Sequence, residues 1–523
     1  MDQDLNVVRG DSPDWRPPNK LLGQYLLSRL KLHGDRIIQA YPQYNETVTA
    51  AVVAERAVRY AATLQSLGVG CGDRVVVCCG IHPHYSSLLL GTICCGAACA
   101  TLNNKFDSGD LRRLMEIIQP KVVFSMSDAV PQLQPALSQL ATIPKLIVLD
   151  DEDTWKWFIN NKIAYHEPQG IDPYTNVAAI MCSSGTSGLP KAVQITQANL
   201  FTSLMAFKHK DAYVQADDIV VITSPLFWVT ALLYSLASMD HGVLLVLEFG
   251  ASEEHVLGVI QQQKATVLFT ASNFALSIAK QPSLNSYDFS RLRIVIATGT
   301  AMAMDTQILV ENFFGASVVQ LYGMTEILIA TGMTRKGQRI LGSVGLLVPT
   351  MKLKIVDPNT GISQGCGKVG ELLFKGPQVS PGYLNNPEAT AATFDAEGWV
   401  HSGDIGYADS DGNIFVTGRI KDIMKYRGHH VSPIELESIL LSHPEVLEAA
   451  VIGVPHPTDV EHPRAYVVLK PGASVTADSL AELVASQVAE HKWLHGGVCF
   501  VNSLPKSPTG KIIRSELRYL TES

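Results

Sequence analysis

Between about Val75 and Tyr322, short apolar runs alternate with longer stretches of helical spacing. VVVCC, KVVFSM, KLIVLD, DIVVITS, GVLLVLE, ATVLFT, LRIVIAT and SVVQLYG are rich in Val, Ile and Leu and lack in-and-out alternation, which is the pattern of strands buried on both faces of a largely parallel sheet. Between two such runs, Glu253 to Lys264 sets Val256, Val259 and Ile260 on one face and predicts a crossover helix. From about Gly342 the texture changes to β segments punctuated by Gly and Pro. GSVG, VDPNTG, GELLFKG, GYLNNP and DSDGNIFVTG predict hairpins in a smaller β unit. After Gly418, RIKDIMKYRGHHVSPIELESIL predicts a charged linker and then a helix capped at Ser432, with Pro433 at its first position and Glu435 at its third. The expected fold class is α/β: a large N-terminal domain of layered α/β subdomains plus a β unit over residues 1–419, and a small α+β C-terminal domain over 420–523.

Bulk properties narrow the function classes. With 523 residues, 46% of them hydrophobic, the chain is globular and long enough for several cores. Its 41 Lys and Arg against 49 Asp and Glu give a net charge of -8 without a basic block, which argues against nucleic acid as the main partner. Cys71, Cys78, Cys79, Cys94, Cys95 and Cys99 crowd one region without a CxxC pair or nearby histidine ligands, so they are expected to be reduced core residues. Ser86 to Leu102 is apolar but short and interrupted by Gly91 and Gly96, so it predicts a buried helix and no transmembrane segment. The polar start MDQDLNVVRGD lacks the features of a secretory signal, and the closing LTES lacks an SKL-like address, so a cytoplasmic protein is expected, with peroxisomal import by another route as the alternative. Oligomeric state is not legible in the pattern.

Candidate chemistry begins at SSGTSGLPK, Ser183 to Lys191, directly after an apolar run. Gly185 and Gly188 let main-chain N–H groups approach an anion, Ser183, Ser184, Thr186 and Ser187 add donors, and Lys191 adds charge. The spacing GxxGxxK excludes a Walker-type loop, GxxxxGK[ST]. YGMTE, Tyr322 to Glu326, also follows a strand-like run. In parallel sheets ligands gather at loops leaving strand C-terminal ends, so the two motifs are expected to converge on one pocket.

SSGTSGLPK, YGMTE, GELLFKGP, GYLNNPEAT, GWVHSGDIG, GRIKDIMKYRG and PKSPTGK, in this order and spacing, resemble the adenylate-forming superfamily of acyl-CoA synthetases, 4-coumarate:CoA ligases and firefly luciferases. Within it, the chain looks closest to the insect luciferase-like acyl-CoA synthetases. The resemblance implies an acid:CoA ligase that converts a fatty or aromatic carboxylic acid and ATP to acyl-AMP and pyrophosphate, then forms the CoA thioester with release of AMP. It implies ATP, Mg²⁺ and CoA as small-molecule partners. By the same resemblance, residues 183–191 hold the β- and γ-phosphates, Thr325 bonds the α-phosphate, Glu326 holds Mg²⁺, and Tyr322 and Gly323 stack on adenine. Asp404 accepts from the ribose hydroxyls and Arg419 reinforces that contact. Lys511 bridges the carboxylate and the α-phosphate, a role suited to a point charge on a flexible stem. Lys425 and Gly428 lie near the acceptor thiol in a second conformation, reached by rotation at a hinge on Lys421.

Departures from the family pattern cluster on the acyl side. SPLFWVTA puts Trp228 where an aromatic-His string is common, and GTAM, Gly299, Thr300, Ala301 and Met302, replaces GGAP, so these residues are expected to reshape the wall of the acid pocket. Ala192 replaces a glycine and Gln197 a histidine, neither removing a phosphate ligand, and Leu321 and Val460 replace glycines as changes the backbone is expected to tolerate. Two other functions remain: a luciferase-like monooxygenase, weakened by Lys210 and Trp228 at positions where luciferases have Arg and His, and a non-catalytic adenylate- or acyl-binding protein. A carrier-protein acceptor is less economical than CoA, since no carrier domain is visible.

Overall fold

The computed structural model describes residues 6–11, 20–153, 156, 163–183, 191–209, 212–284, 286–333, 340–506 and 512–520. Among them, two seven-stranded sheets form the body of the α/β region. One runs in the order Ser317–Gln320, Ile294–Thr298, Val267–Ala271, Ile219–Ile222, Leu244–Leu247, Ile37–Tyr41, Glu46–Thr49, and every pairing but the last is parallel. The other runs Gly382–Tyr383, Lys191–Thr196, Val177–Ser183, Ala98–Leu102, Arg74–Cys78, Val122–Ser125, Lys145–Val148, with antiparallel pairings confined to its first two. Strands such as Ile294–Thr298 are buried at every position, as their unbroken apolar runs predict.

The layers follow from which faces are covered. Helices Leu22–His33, Ala50–Ser66, Tyr85–Cys94 and Val229–His241 pack on one another, and their buried side chains join inward residues of both sheets, among them Val75, Val77, Val220 and Ile222, in one core. The crossover helix Glu253–Gln263 forms as predicted. Ser252 caps it by accepting from the His255 N–H, and Val256, Val259 and Ile260 are buried on the outer face of the first sheet.

Two expectations change. Ser86 to Leu102 is buried throughout, but only its first half is helical; Gly96, at φ +73, ends the turn, and the chain continues as the strand Ala98–Leu102. Five of the six clustered cysteines are buried and free, whereas Cys71 is exposed. Burial pushes the Cys78, Cys95 and Cys99 thiols up to about 12, so they are inert, neutral core residues. Among the described residues no helix is long and apolar enough to cross a membrane.

Beyond Gly342 the predicted β segments form a five-stranded sheet, Lys352–Val356, Gly370–Lys375, Val400–Ala408 and Ile414–Arg419, with Val7–Arg9 from the far N-terminus added at the open edge, except that GYLNNP leaves this unit: its Gly382–Tyr383 pairs with Lys191–Thr196 at the edge of the second seven-stranded sheet. The short turn Ile420–Asp422 leads from it to a separate sheet in which Val446–His456 and Val460–Leu469 form a long hairpin beside Met424–Tyr426 and His429–Val431. Pro433 opens the helix Pro433–Ser442 as expected, but Ser432 does not cap it: its hydroxyl donates to the Thr417 carbonyl at 2.7 Å and ties the helix to the preceding sheet.

Lys280 supplies a second tie across the same junction. It is 6% exposed and its Nζ donates to the Val446 carbonyl at 2.7 Å. Burial, with Lys470 nearby, lowers its pKa to about 8. The unfolded chain therefore holds this proton more tightly between about pH 8 and 10.4, and the group's penalty on folding, full below pH 8, fades as pH rises through that window. A Lys280→Met variant lacks this dependence. Thermal melts are expected to show the variant-minus-native difference in midpoint falling from pH 7.5 to pH 9.5.

Candidate active site

YGMTE is shaped by a tight backbone approach. Gly323 and Met324 pair antiparallel with Leu328 and Ile329, and a Cβ on Gly323 would lie 2.1 Å from the Leu328 carbonyl oxygen, so only glycine fits. The hairpin turn holds Thr325, half-buried, and Glu326, 4% exposed. Two contacts from one segment fix Glu326. The Ser380 N–H donates to its carbonyl at 2.8 Å, and the Tyr383 hydroxyl donates to Oε1 at 2.8 Å. Burial and the Glu326 charge both raise the Tyr383 pKa, which keeps the phenol a neutral donor.

Tyr383 also brings Lys191 to the same place. Its strand pairs with Lys191–Thr196, and Lys191 Nζ lies 4.8 Å from the Tyr383 ring centroid. Ser183 and Lys191 are register partners at the ends of their strands. A cation, a buried carboxylate and strand-end donors therefore share one edge of the second sheet, where a polyphosphate and a hard divalent cation are chemically matched.

A second cluster lies one residue before this hairpin. The Tyr322 hydroxyl donates to Asp404 Oδ2 at 2.6 Å, and Arg419 Nε lies 3.0 Å from Asp404 Oδ1. Asp404 and Arg419 are opposite each other in the register of Val400–Ala408 and Ile414–Arg419, so sheet pairing alone presents the guanidinium to the carboxylate. The Tyr322 ring stacks on the buried Phe374, centroids 5.5 Å apart and planes at 28°. Burial and the Asp404 charge raise the Tyr322 pKa, so its hydroxyl also stays protonated. With one face on Phe374, the ring is a rigid platform next to a fixed anionic acceptor, suited to an aromatic base joined to a diol.

Trp228 and the turn Gly299 to Ala301 lie at the same, C-terminal, end of the strands of the first sheet. Trp228 follows Ile219–Ile222 and opens the helix Val229–His241, its N–H donating to Pro225 at 3.0 Å. Gly299, at φ +90, Thr300 and Ala301 follow Ile294–Thr298, one strand away across Val267–Ala271. Ser272 at the end of that middle strand donates to the Thr300 carbonyl at 2.7 Å and holds the turn. Met302 differs from expectation: it is 3% exposed and packs with Val310 and Phe314 in the outer core, not on a pocket wall.

Lys421 is exposed in the turn Ile420–Asp422, Lys425 is exposed on Met424–Tyr426, and Gly428, at φ +83, makes the following turn. These three belong to the C-terminal side, apart from the Tyr322 and Glu326 clusters. Ser184, Gly185, Thr186, Ser187, Gly188, Lys210 and Lys511 lie outside the described residues. Tyr383 and Phe374 sit in GYLNNP and GELLFKG, but an aromatic residue in a strand reads as core, so neither signals a site role by itself.

Family comparison settles the class. Residues 28–384 match the model of the AMP-binding enzymes, and residues 435–511 match that of the AMP-binding enzyme C-terminal domain. The chain belongs to the AMP-binding enzymes, the adenylate-forming superfamily. This AMP-binding enzyme is 32% identical over 539 residues to luciferin 4-monooxygenase of Photinus pyralis, covering 99% of this chain and 98% of that one. It is also 32% identical over 528 residues to 4-coumarate–CoA ligase 3 of rice, covering 99% and 95%. Among solved structures, ATP-bound MatB from Rhodopseudomonas palustris superposes with a TM-score of 0.84 at 25% identity over 95% of this chain and 98% of that one. An anthranilate CoA ligase in complex with anthranoyl-AMP shares the fold with a TM-score of 0.88 at 23% identity, covering 96% and 98%.

Two glycine departures of this AMP-binding enzyme, Leu321 and Val460, part company. Leu321 takes no left-handed φ and packs beside Gly332. Val460, by contrast, sits at φ +73, so the backbone does not tolerate it freely. A left-handed β-branched residue costs about 1–2 kcal/mol, against the roughly 0.5–1 kcal/mol that glycine loses in chain entropy. Val460→Gly is expected to raise stability by about 0.5–1 kcal/mol, read from denaturant unfolding of the C-terminal transition.

Proposed function

We propose that this chain is an ATP-dependent acid:CoA ligase that activates a fatty or aromatic carboxylic acid as its acyl-adenylate and then transfers the acyl group to CoA. The observation that carries the reading is the pair of fixed carboxylates, Glu326 beneath Tyr383 and Asp404 between Tyr322 and Arg419. Tyr322 and Gly323 receive adenine, Asp404 and Arg419 hold the ribose, and Ser183 with Lys191 and the loop between them takes the β- and γ-phosphates. Thr325 donates to the α-phosphate. The buried carboxylate of Glu326, its Oε1 already oriented by Tyr383, fits Mg²⁺, which when bound offsets the charge of the triphosphate.

With the nucleotide so held, the acid carboxylate attacks the α-phosphorus, the bond to the β-phosphate oxygen breaks, and pyrophosphate leaves. Lys511 bridges the two reacting anions in this step. The unit 420–523 then turns about Lys421, replacing Lys511 by the face of Lys425 and Gly428; the thiol attacks the acyl carbonyl and AMP leaves. Trp228, Gly299, Thr300 and Ala301 border the acid. The relation to luciferin 4-monooxygenase makes oxidation of the adenylate by O₂ the second reading, and Trp228 and Lys210 stand against it. The test is a thioester assay over fatty and cinnamic acids with ATP, Mg²⁺ and CoA. A CoA thioester and stoichiometric AMP support the reading; adenylate formation without thioester, or light with luciferin, overturns it.

A further inference from the structure

The long C-terminal hairpin carries a side-chain cluster that the adenylation chemistry does not use. Its tight turn brings together His456, Asp459 and His462, whose ligand atoms all lie within 4.8 Å of one another. His462 Nε2 is 2.8 Å and His456 Nδ1 is 3.5 Å from the same carboxylate oxygen, Asp459 Oδ2. We propose that these three side chains form a site for one nitrogen-preferring divalent transition-metal ion of the Zn²⁺ class.

Spacing supports this. Ligand atoms placed about 2.0–2.1 Å from a tetrahedral ion are roughly 3.3 Å apart, and the two nitrogen–oxygen separations of 2.8 and 3.5 Å lie near that value. The two imidazoles now stack, centroids 3.7 Å apart and planes at 13°, and their rings turn about the Cβ–Cγ bonds to aim both lone pairs at the ion. Asp459 does not need them as counter-ions: Arg427 Nε donates to its other oxygen, Oδ1, at 2.7 Å, and the Arg427 N–H donates to its carbonyl at 3.1 Å. The guanidinium thus holds the carboxylate through Oδ1 and, at 3.4 Å from Nη2, also through Oδ2, the oxygen that faces the two imidazoles, so an outer partner fixes the ligating carboxylate.

The backbone gives an independent sign. Val460, between the ligands, is held at φ +73, and such outliers persist where surrounding structure over-determines them. The carboxylate of Asp459 is 9% exposed, His462 18% and His456 37%, so the site is lined on one side and open to water on the other, with room for a solvent ligand at the fourth vertex. Two imidazoles and a single carboxylate select Zn²⁺, Co²⁺, Ni²⁺ or Cu²⁺ over Mg²⁺ or Ca²⁺. Bound there, the ion clamps the turn at Asp459 to Arg427 and so to the turn at Gly428.

Titration of chelator-treated full-length protein with Zn²⁺ in the calorimeter, in saturating Mg²⁺, tests the site. One equivalent is expected to bind with micromolar affinity, unaffected by Mg²⁺. His456→Gln and His462→Gln are each expected to weaken it at least tenfold and together to abolish it, while His429→Gln and His491→Gln leave it intact. Absence of saturable binding, competition by Mg²⁺, or binding that survives the double substitution overturns the proposal. Circular dichroism of the double variant separates loss of ligands from loss of fold.

Discussion

Glu326→Gln is expected to lower the rate of acyl-adenylate formation by roughly 10²–10³-fold, about 2.7–4 kcal/mol of transition-state stabilisation. The substitution keeps the shape and leaves an amide oxygen to accept from Tyr383, whose hydroxyl now reaches Oε1 at 2.8 Å, so the hairpin should persist. What it removes is a full negative charge at a residue 4% exposed, next to Lys191 across the Tyr383 ring. A neutral amide oxygen is a far weaker ligand for a hard dication. Raising Mg²⁺ should recover part of the loss, and a thermal midpoint close to the native one would separate lost chemistry from lost fold. Unchanged adenylation in this variant would remove Glu326 from the phosphate site.

Asp404→Ala acts on the other carboxylate and should appear in KM for ATP more than in kcat. It deletes the carboxylate proposed to accept from the ribose hydroxyls and leaves the Tyr322 hydroxyl and the Arg419 guanidinium without their shared partner. Hydrogen bonds to a charged group contribute about 1.5–3 kcal/mol, so KM for ATP should rise roughly 10- to 150-fold. The orphaned Tyr322 hydroxyl adds a stability cost of about 1–3 kcal/mol, visible as a lower melting midpoint. Tyr322→Phe is the companion variant. It keeps the stack on Phe374 and frees one oxygen of Asp404, so it should alter ATP binding much less.

Much of this architecture is legible in the chain because its strands are buried on both faces and announce themselves as unbroken apolar runs. The expected β unit after Gly342 is legible for the opposite reason, through the Gly and Pro turns that hairpins require. Ser86 to Leu102 was not resolved by pattern, since a buried helix and a buried strand are equally apolar and only Gly96 marks the change. The chemistry was legible one motif at a time. Asp404 and Tyr322 are 82 residues apart, and only the packing of Tyr322 on Phe374 of the sheet that carries Asp404 puts one against the other. Tyr383 was hidden in plain sequence because a strand tyrosine reads as core, and Met302 misled in the converse way, since a flexible side chain beside a pocket turn packs inward. Val460 shows a further limit: a β-branched residue predicts extended backbone, and the hairpin turn imposes the left-handed conformation against that preference.

The class of enzyme rests on the family match, while Trp228 and the turn at Gly299 are proposed to choose the acid. The measurement that reaches the central claim most directly is exchange of labelled pyrophosphate into ATP by the full-length protein across a panel of fatty, cinnamic and benzoic acids without CoA. Adenylation predicts exchange that requires both Mg²⁺ and a carboxylic acid and that collapses in Glu326→Gln. No exchange with any acid, or exchange indifferent to Glu326, would contradict it.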